Sequence, residues 1–293
     1  MRRSSPCPFP QARVPSTRAA DDPDDADRFV TEVKTPAAVA RIFDLLDRHH
    51  PDADTELVHR NAFELLVATM LSAQSTDARV NLVTPALFDR FPDAQALAGA
   101  GTAALEGLIH ATGFFRQKAK SLIGMATILL AEHQGQVPAS MDALTALPGV
   151  GRKTANVVLG HALGVPGLPV DRHVLRVANR IGLGHGDDPV KVEAQLCEML
   201  PPNRWTRASD TLILLGRRIC RPKPLCSMCH LKTDCEFYRT GMVTKPIGTV
   251  PPSPRLRRTG RLKPDTTLRA KKPDATSRAK KPDATLPAKK VSR

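Results

Sequence analysis

The sequence predicts an all-α fold, and three observations lead to that prediction. Between residues 36 and 217, apolar side chains recur at the three- and four-residue spacing of amphipathic helices. Glycine and proline interrupt these stretches at short intervals, and no alternating run of valine, isoleucine and threonine indicates a β-hairpin. Because 41% of the 293 residues are apolar, the chain can build one or two packed domains.

The helical stretches follow one another along the chain with short connections, as expected of a helical bundle. Clear apolar periodicity covers Ala40–Leu46, Phe63–Leu71 and Leu122–Leu130. Further helices are predicted at 141–147, 152–163, 171–181, 189–199 and 204–218.

Both ends of the chain differ in composition from the middle. Residues 1–35 are rich in arginine, serine and proline before an acidic run, and they predict a disordered leader. Residues 241–293 predict a disordered basic tail, because a nine-residue unit with few apolar residues occurs three times between Lys263 and Lys289. We expect a cytoplasmic, nucleoid-associated protein, although an acid-free start also leaves import into an organelle open.

The net charge of +14 comes mostly from the tail, since residues 251–293 hold 14 Lys/Arg and 3 Asp. Positive charge favours an anionic partner such as nucleic acid. Two interpretations of the tail stay open: a solvated segment without a task, and a sequence-independent ligand of DNA phosphates. No apolar run approaches the roughly 18 residues of a membrane span, so no membrane partner is expected.

A glycine-containing turn between two predicted helices is the first candidate site. It reads Leu147-Pro-Gly-Val-Gly-Arg-Lys-Thr-Ala155. Glycine permits unusual backbone angles and close approach, and the unpaired N–H groups at the start of the second helix can hold a phosphate oxygen. This is typical of a helix-hairpin-helix DNA-binding motif. An ordinary helical hairpin with a solvated Lys153 is the alternative.

A carboxylate at the start of the next helix is the second candidate. Asp171 directly precedes an apolar helical pattern, which is an N-cap position. Capping and the helix dipole would both favour its ionised form. A cap with no other role is the alternative. Lys153, 18 residues upstream, favours a catalytic role for Asp171 over a cap alone. A carboxylate beside an amine suits chemistry that creates a sugar cation and captures it with nitrogen.

Four cysteines within 16 residues, Cys220, Cys226, Cys229 and Cys235, are the third candidate. Without a secretory signal, disulfides are not expected. Closely spaced thiolates bind soft metals and iron–sulfur clusters, and the spacing leaves zinc and a [4Fe–4S] cluster equally open.

These three elements occur in the same order in the endonuclease III family of DNA repair glycosylases, which the chain resembles over about residues 36–240. The string at 147–158 is the most specific match. The resemblance implies that Lys153 is the nucleophile and Asp171 its catalytic partner. It also implies that the four cysteines ligate a [4Fe–4S] cluster.

The resemblance further implies which residues contact DNA. The segment Leu71–Asp77 resembles the loop whose glutamine fills the gap left by an extruded nucleotide, so Gln74 would take that role. Thr112–Phe115 resembles the wedge loop, so Phe114 would insert between base steps. Further DNA contacts are expected at Gly149, Val150, Gly151, Arg152 and His173.

Two departures from the family pattern stand out. The interval between Cys220 and Cys226 has five residues, where the family usually has six. Arg172 occupies a position where the family commonly has threonine. Cluster binding should survive the shorter loop if the thiolates still converge.

The resemblance implies two helical domains: 55–165 as a six-helix domain with the helix-hairpin-helix at 141–160, and 36–54 with 166–240 as the cluster domain. A damaged base would be flipped into a pocket between them. Partial burial and neighbouring positive charge would lower the pKa of Lys153 enough for attack. The expected protein is a monomeric enzyme that removes oxidised pyrimidines from duplex DNA and cleaves the abasic site. A monofunctional adenine mispair glycosylase and a non-catalytic DNA-binding module are the alternatives.

Overall fold

The structure is a computed structural model that describes residues 34–240. The described chain contains helices, turns and no β-strand, which confirms the predicted all-α class. Nearly all of the predicted leader and the whole of the predicted tail lie outside the described residues. None of the described helices has the length and apolar character that crossing a membrane requires.

Twelve α-helices make up the described chain. They are α1 Pro36–His49, α2 Ala62–Ser72, α3 Asp77–Arg90, α4 Ala94–Ala98, α5 Thr102–Ile109, α6 Phe115–His133, α7 Met141–Ala146, α8 Arg152–Ala162, α9 Arg172–Ile181, α10 Pro189–Met199, α11 Trp205–Arg218 and α12 Glu236–Arg239. Short 3₁₀ turns occupy His110–Thr112, Pro202–Arg204 and Cys226–Met228. The segment predicted as a six-helix domain holds the seven helices α2–α8, of which α4 has five residues.

Capping residues explain where many of these helices begin. Seven helices start after a side chain that accepts a hydrogen bond from a first-turn N–H, the usual role of Ser, Thr, Asp and Asn at this position. These caps are Thr35, Asn61, Thr76, Asp93, Ser140, Asp171 and Asp188. The predicted helices at 141–147, 152–163, 171–181, 189–199 and 204–218 are confirmed to within one residue at each end.

Two hydrophobic clusters hold the helices together. Buried residues of α2–α8 form the first cluster, from Leu57 to Leu159. The second joins α1 to α9, α10 and α11 and includes Leu231. The described residues all belong to one compact unit, and the domain bounds implied by the family resemblance stay a prediction.

Close packing joins the two clusters where α8 meets α11. A Cβ on Gly160 of α8 would lie 2.3 Å from Thr206 Oγ1 of α11, so only glycine fits there without movement. Thr206 Oγ1 donates to the Gly167 carbonyl at 3.0 Å, and Ser209 Oγ donates to the Pro169 carbonyl at 2.6 Å. These bonds hold the segment that leads to Asp171 against α11.

Candidate active site and metal centre

The predicted hairpin turn joins α7 to α8. Val150 N–H donates to the Leu147 carbonyl at 3.1 Å, which closes the turn. Gly149 has φ +79°, in the left-handed region that favours glycine. Gly151 precedes α8, and no side chain caps that helix. A helix start without a side-chain cap is the geometry in which backbone N–H groups can bind an anion.

We expect Gly149→Ala to destabilise the protein by about 1–2 kcal/mol, because a left-handed backbone places Cβ against the following carbonyl. The new Cβ would also lie 2.8 Å from Ser121 Cβ of α6. Thermal unfolding measures the change. Gly151→Ala is the matched control, because its Cβ would meet nothing within 4 Å and its φ is negative. Equal melting temperatures for the two variants would contradict this account of the turn.

Asp171 is the N-cap of α9, which confirms the predicted capping position. Its Oδ1 accepts from the N–H groups of His173 at 2.7 Å and Val174 at 2.9 Å. Two such bonds fix the carboxylate, because both donors belong to the rigid first turn of a helix.

Lys153 and Asp171 line the same two cavities, although they belong to different helices, α8 and the start of α9. The larger cavity is an open cleft of about 1080 Å³. The smaller, of about 70 Å³, is a side pocket that also contains His161 and Asp210. Lys153 is exposed in the cleft, whereas partial burial was expected. Lys153 lies in the first turn of α8, where its side chain is not covered by the rest of that helix.

Two charged residues that the sequence analysis did not single out also line both cavities. Arg217 of α11 pairs with Asp77 of α3 at 3.0 Å and with Glu56 at 2.7 Å. Burial lowers the pKa of Arg217, but the two carboxylates outweigh burial and raise it. The local sequence pattern does not predict these ion pairs, because Arg217 is far along the chain from both Asp77 and Glu56.

Gln74 and His173 line the large cleft, as their predicted DNA contacts require. Phe114 is 66% exposed at the start of α6. Among the described non-glycine residues, only three have positive φ, and Gln74 (55°) and Phe114 (49°) are two of them. Such conformations cost energy and occur often at functional sites.

Arg152, a predicted DNA contact, is paired with a carboxylate of another helix. Its guanidinium donates two hydrogen bonds to Glu193 of α10, Nε at 2.8 Å and the terminal nitrogen at 2.9 Å. The paired side chain links the start of α8 to the second hydrophobic cluster. Contact of Arg152 with DNA stays a prediction.

His161, which lines the side pocket, contacts carboxylates from two other parts of the chain. Its Nδ1 lies 3.1 Å from Asp54 Oδ1, and its Nε2 lies 3.3 Å from Asp210 Oδ1. The side chains of His161 and Asp210 are buried, whereas Asp54 is exposed. Burial by itself lowers the pKa of His161, but pairing with Asp210 and Asp54 outweighs it and raises the pKa above the ordinary value of 6.5.

This raised pKa predicts how stability changes with pH. A group whose folded pKa exceeds its unfolded pKa stabilises the protein fully below the unfolded value, and the contribution is lost as pH rises through the folded value. We therefore expect the advantage of the native protein over His161→Gln to be largest below about pH 6.5 and to shrink above it. A difference of 1 kcal/mol in the free energy of unfolding corresponds to ~2–4 °C in Tm for a chain of this size. Thermal melts from pH 6 to pH 9 test this, and a constant difference would contradict it.

The four predicted cysteine ligands converge on one cavity, which they line together with Arg180, Ile219 and Leu231. All four thiols are free and half-buried. Burial raises the pKa of Cys235 to about 11 and also raises that of Cys229. Metal binding must therefore displace thiol protons.

Four cysteine side chains that line one cavity are a ligand set that both zinc and iron–sulfur clusters use.

The shortened Cys220–Cys226 loop is tied to α9. Arg180 donates to the carbonyls of Arg221 at 2.6 Å and Pro222 at 2.9 Å. The same guanidinium lies 3.5 Å from Cys220 Sγ. These bonds hold the loop in place with one residue fewer than the family usually has.

The fold and site define a class of protein: a helix-hairpin-helix DNA glycosylase. Residues 67–202 match the HhH-GPD superfamily, described as base excision DNA repair proteins. The chain is 43% identical to Endonuclease III of Rickettsia felis over 71% of its own length and 98% of that relative. It is 48% identical to Endonuclease III of Synechocystis sp. over 65% of its own length and 88% of that relative.

Solved structures of Endonuclease III are also similar to this chain. A non-covalent Endonuclease III–DNA complex has a TM-score of 0.68 and 38% identity, covering 72% of this chain and 100% of that one. A trapped Endonuclease III–DNA covalent intermediate has a TM-score of 0.67 and 39% identity, covering 71% and 99%. The chain belongs to the endonuclease III family, and it is a DNA glycosylase of base excision repair.

Proposed function

We propose that this enzyme removes oxidised pyrimidines from duplex DNA and then cleaves the resulting abasic site through a Schiff base on Lys153. The observation that carries the proposal is the joint placement of Lys153 and Asp171. Both line the open cleft and the side pocket, so an amine and a carboxylate are available to one bound nucleotide.

The amine supplies the nucleophile. The unprotonated Nζ of Lys153 forms a bond to C1′ of the damaged nucleotide as the bond from C1′ to the base breaks, and the base leaves with the electron pair. Because Lys153 is exposed in the cleft, its amine can approach C1′ of a nucleotide bound there.

The Schiff base then permits strand cleavage. Ring opening gives an iminium at C1′, loss of a proton from C2′ follows, and the C3′–O bond breaks by β-elimination. The 3′-phosphate leaves with the bonding electrons. Water finally hydrolyses the imine and restores the Lys153 amine.

Asp171 stabilises the positive charge that develops on the sugar. Its position at the start of α9 suits this task, because two backbone N–H bonds to Oδ1 hold the carboxylate without a change in geometry during the reaction. The same group can accept and return protons as the sugar ring opens.

The cleft and the loops that carry Gln74 and Phe114 can contact DNA. Gln74 carries a donor and an acceptor, which can satisfy the base left without a partner. Phe114 is an exposed apolar side chain that follows Gly113 of the cleft wall and can wedge between base steps. No side chain caps the start of α8, and backbone N–H groups at a helix start can hold a phosphate.

A [4Fe–4S] cluster on Cys220, Cys226, Cys229 and Cys235 completes the proposal. When bound, the cluster would organise the loop after α11. The four cysteines that line one cavity support this assignment. Iron and sulfide analysis of the purified protein should give roughly four of each per chain.

Borohydride trapping tests the proposed reaction. The purified enzyme is incubated with a duplex that carries one thymine glycol, and borohydride is added during turnover. We expect a covalent protein–DNA adduct and, without borohydride, cleavage 3′ to the lesion. An undamaged duplex and one with adenine opposite 8-oxoguanine serve as controls.

Each other outcome points to an alternative. Base release without an adduct would overturn the Schiff base and indicate a monofunctional glycosylase. Activity on the adenine mispair alone would indicate an adenine glycosylase. Binding of the duplex with no base release would indicate a DNA-binding module.

A further inference from the structure

Lys118 is a buried lysine on α6 that has no part in the chemistry above. Its side chain is among the few buried charged groups, at 8% exposure. Nζ donates to the Leu71 carbonyl at 2.8 Å and to the Thr112 carbonyl at 2.9 Å. In the described part of the chain no carboxylate pairs with it, and burial lowers its pKa. A buried amine is costly unless hydrogen-bonded, so two backbone acceptors are what hold it there.

The two carbonyls belong to the two loops that are expected to enter DNA. Leu71 lies in the last turn of α2, three residues before Gln74. Helix ends leave carbonyls without a helical partner, and the Ser75 N–H that could reach Leu71 bonds to Ser72 instead. Thr112 ends a 3₁₀ turn, two residues before Phe114. Lys118 therefore connects the base of the Gln74 loop to the base of the Phe114 loop.

Both loops hold residues in costly backbone conformations. Gln74 and Phe114 each have positive φ, which is unfavourable for a side chain larger than glycine. The buried Lys118 amine bonds to the base of each loop and so constrains how far apart they lie.

We propose that Lys118 is a positioning residue, and that its two hydrogen bonds hold the Gln74 and Phe114 loops at the separation needed to fill and wedge a distorted duplex. The inference rests on the proposed function, because it assigns Lys118 a role in base extrusion. Lys118 acts through the loops and not on the reacting atoms.

Lys118→Met tests the inference, because methionine fills similar space and donates no hydrogen bond. Single-turnover base release is measured with full-length, cluster-containing enzyme in excess over thymine glycol duplex. We expect the rate to fall about 10- to 100-fold, the range typical of misplaced reacting groups. Cleavage of an abasic site in single-stranded DNA needs no extrusion and should change less than about 3-fold.

The matched control is Lys120→Met, which removes an exposed lysine from the same helix. Its two rates should both stay close to the native values. Active enzyme is counted by borohydride trapping, so that loss of folded protein does not enter the rates.

A double-mutant cycle gives a second readout. If Lys118 acts through the loops, Lys118→Met should have little further effect on base release once Gln74 and Phe114 are both alanine. A purely structural role would lower both rates of Lys118→Met equally, and its effect would add to that of the loop variants. Either result would overturn the inference.

Failure of the variant to fold and failure of the proposed function can each be distinguished from failure of this inference. If Lys118→Met does not fold, Lys118→Arg replaces it, since the bulkier guanidinium must spread the two carbonyls, and the same difference between the two rates is expected. Equal rate losses in that variant would also overturn the inference. If the native enzyme releases no base, the proposed function fails instead.

Discussion

Lys153→Ala is expected to lose the borohydride adduct completely and to release thymine glycol at least about 10³-fold more slowly, which corresponds to roughly 4 kcal/mol in the barrier. The reason is that the variant has no amine to form the bond to C1′. Lys153 is exposed in the cleft, so its removal leaves no cavity in either hydrophobic cluster. Single-turnover base release and gel detection of the adduct provide the measurement.

Lys153→Arg is the matched variant, because it keeps the positive charge but cannot form a Schiff base. Duplex affinity should stay close to the native value in the arginine variant, while the adduct is absent from both. An adduct that persists in Lys153→Ala would show that another amine is the nucleophile.

Asp171→Asn is expected to slow base release by about 10²- to 10³-fold, the usual effect of removing one electrostatic contact to a transition state. Asparagine caps a helix as well as aspartate does. The bonds from His173 and Val174 to Oδ1 can therefore persist, and the melting temperature should change little. Rate and melting temperature together distinguish lost charge from lost structure.

Asp171→Ala separates the two roles further. It removes both the charge and the cap, so it should show the same rate loss and an additional destabilisation of about 1 kcal/mol. A native rate in Asp171→Asn would contradict a role for the charge, and would leave Asp171 as a helix cap only.

Local sequence signals predicted most of the helices and the turn. Apolar periodicity placed α7 to α11 within one residue of their observed bounds. The weaker predictions concern α3, α4 and α5, for which no separate helix was expected. α4 and α5 have five and eight residues, and α3 contains Pro85, so their periodic signal is short or interrupted.

The candidate site was predictable only in part. Lys153, Asp171 and the four cysteines lie in strings whose spacing is specific, and the sequence analysis singled them out. Arg217, His161 and Lys118 were missed. Each acts through partners that are distant in sequence or on another helix, such as Asp77 for Arg217 and Leu71 for Lys118.

The sequence by itself determined the all-α class, the family and the position of Asp171 at a helix start, because caps, turns and apolar periodicity are local properties. Only the tertiary structure decided that Lys153 is exposed, that Arg152 is paired with Glu193, and that Lys118 connects two loops. Exposure and pairing depend on which distant helices pack together. Packing removes apolar surface from water and pairs most buried polar groups. Both depend on contacts between distant segments, so a short stretch of sequence does not predict them.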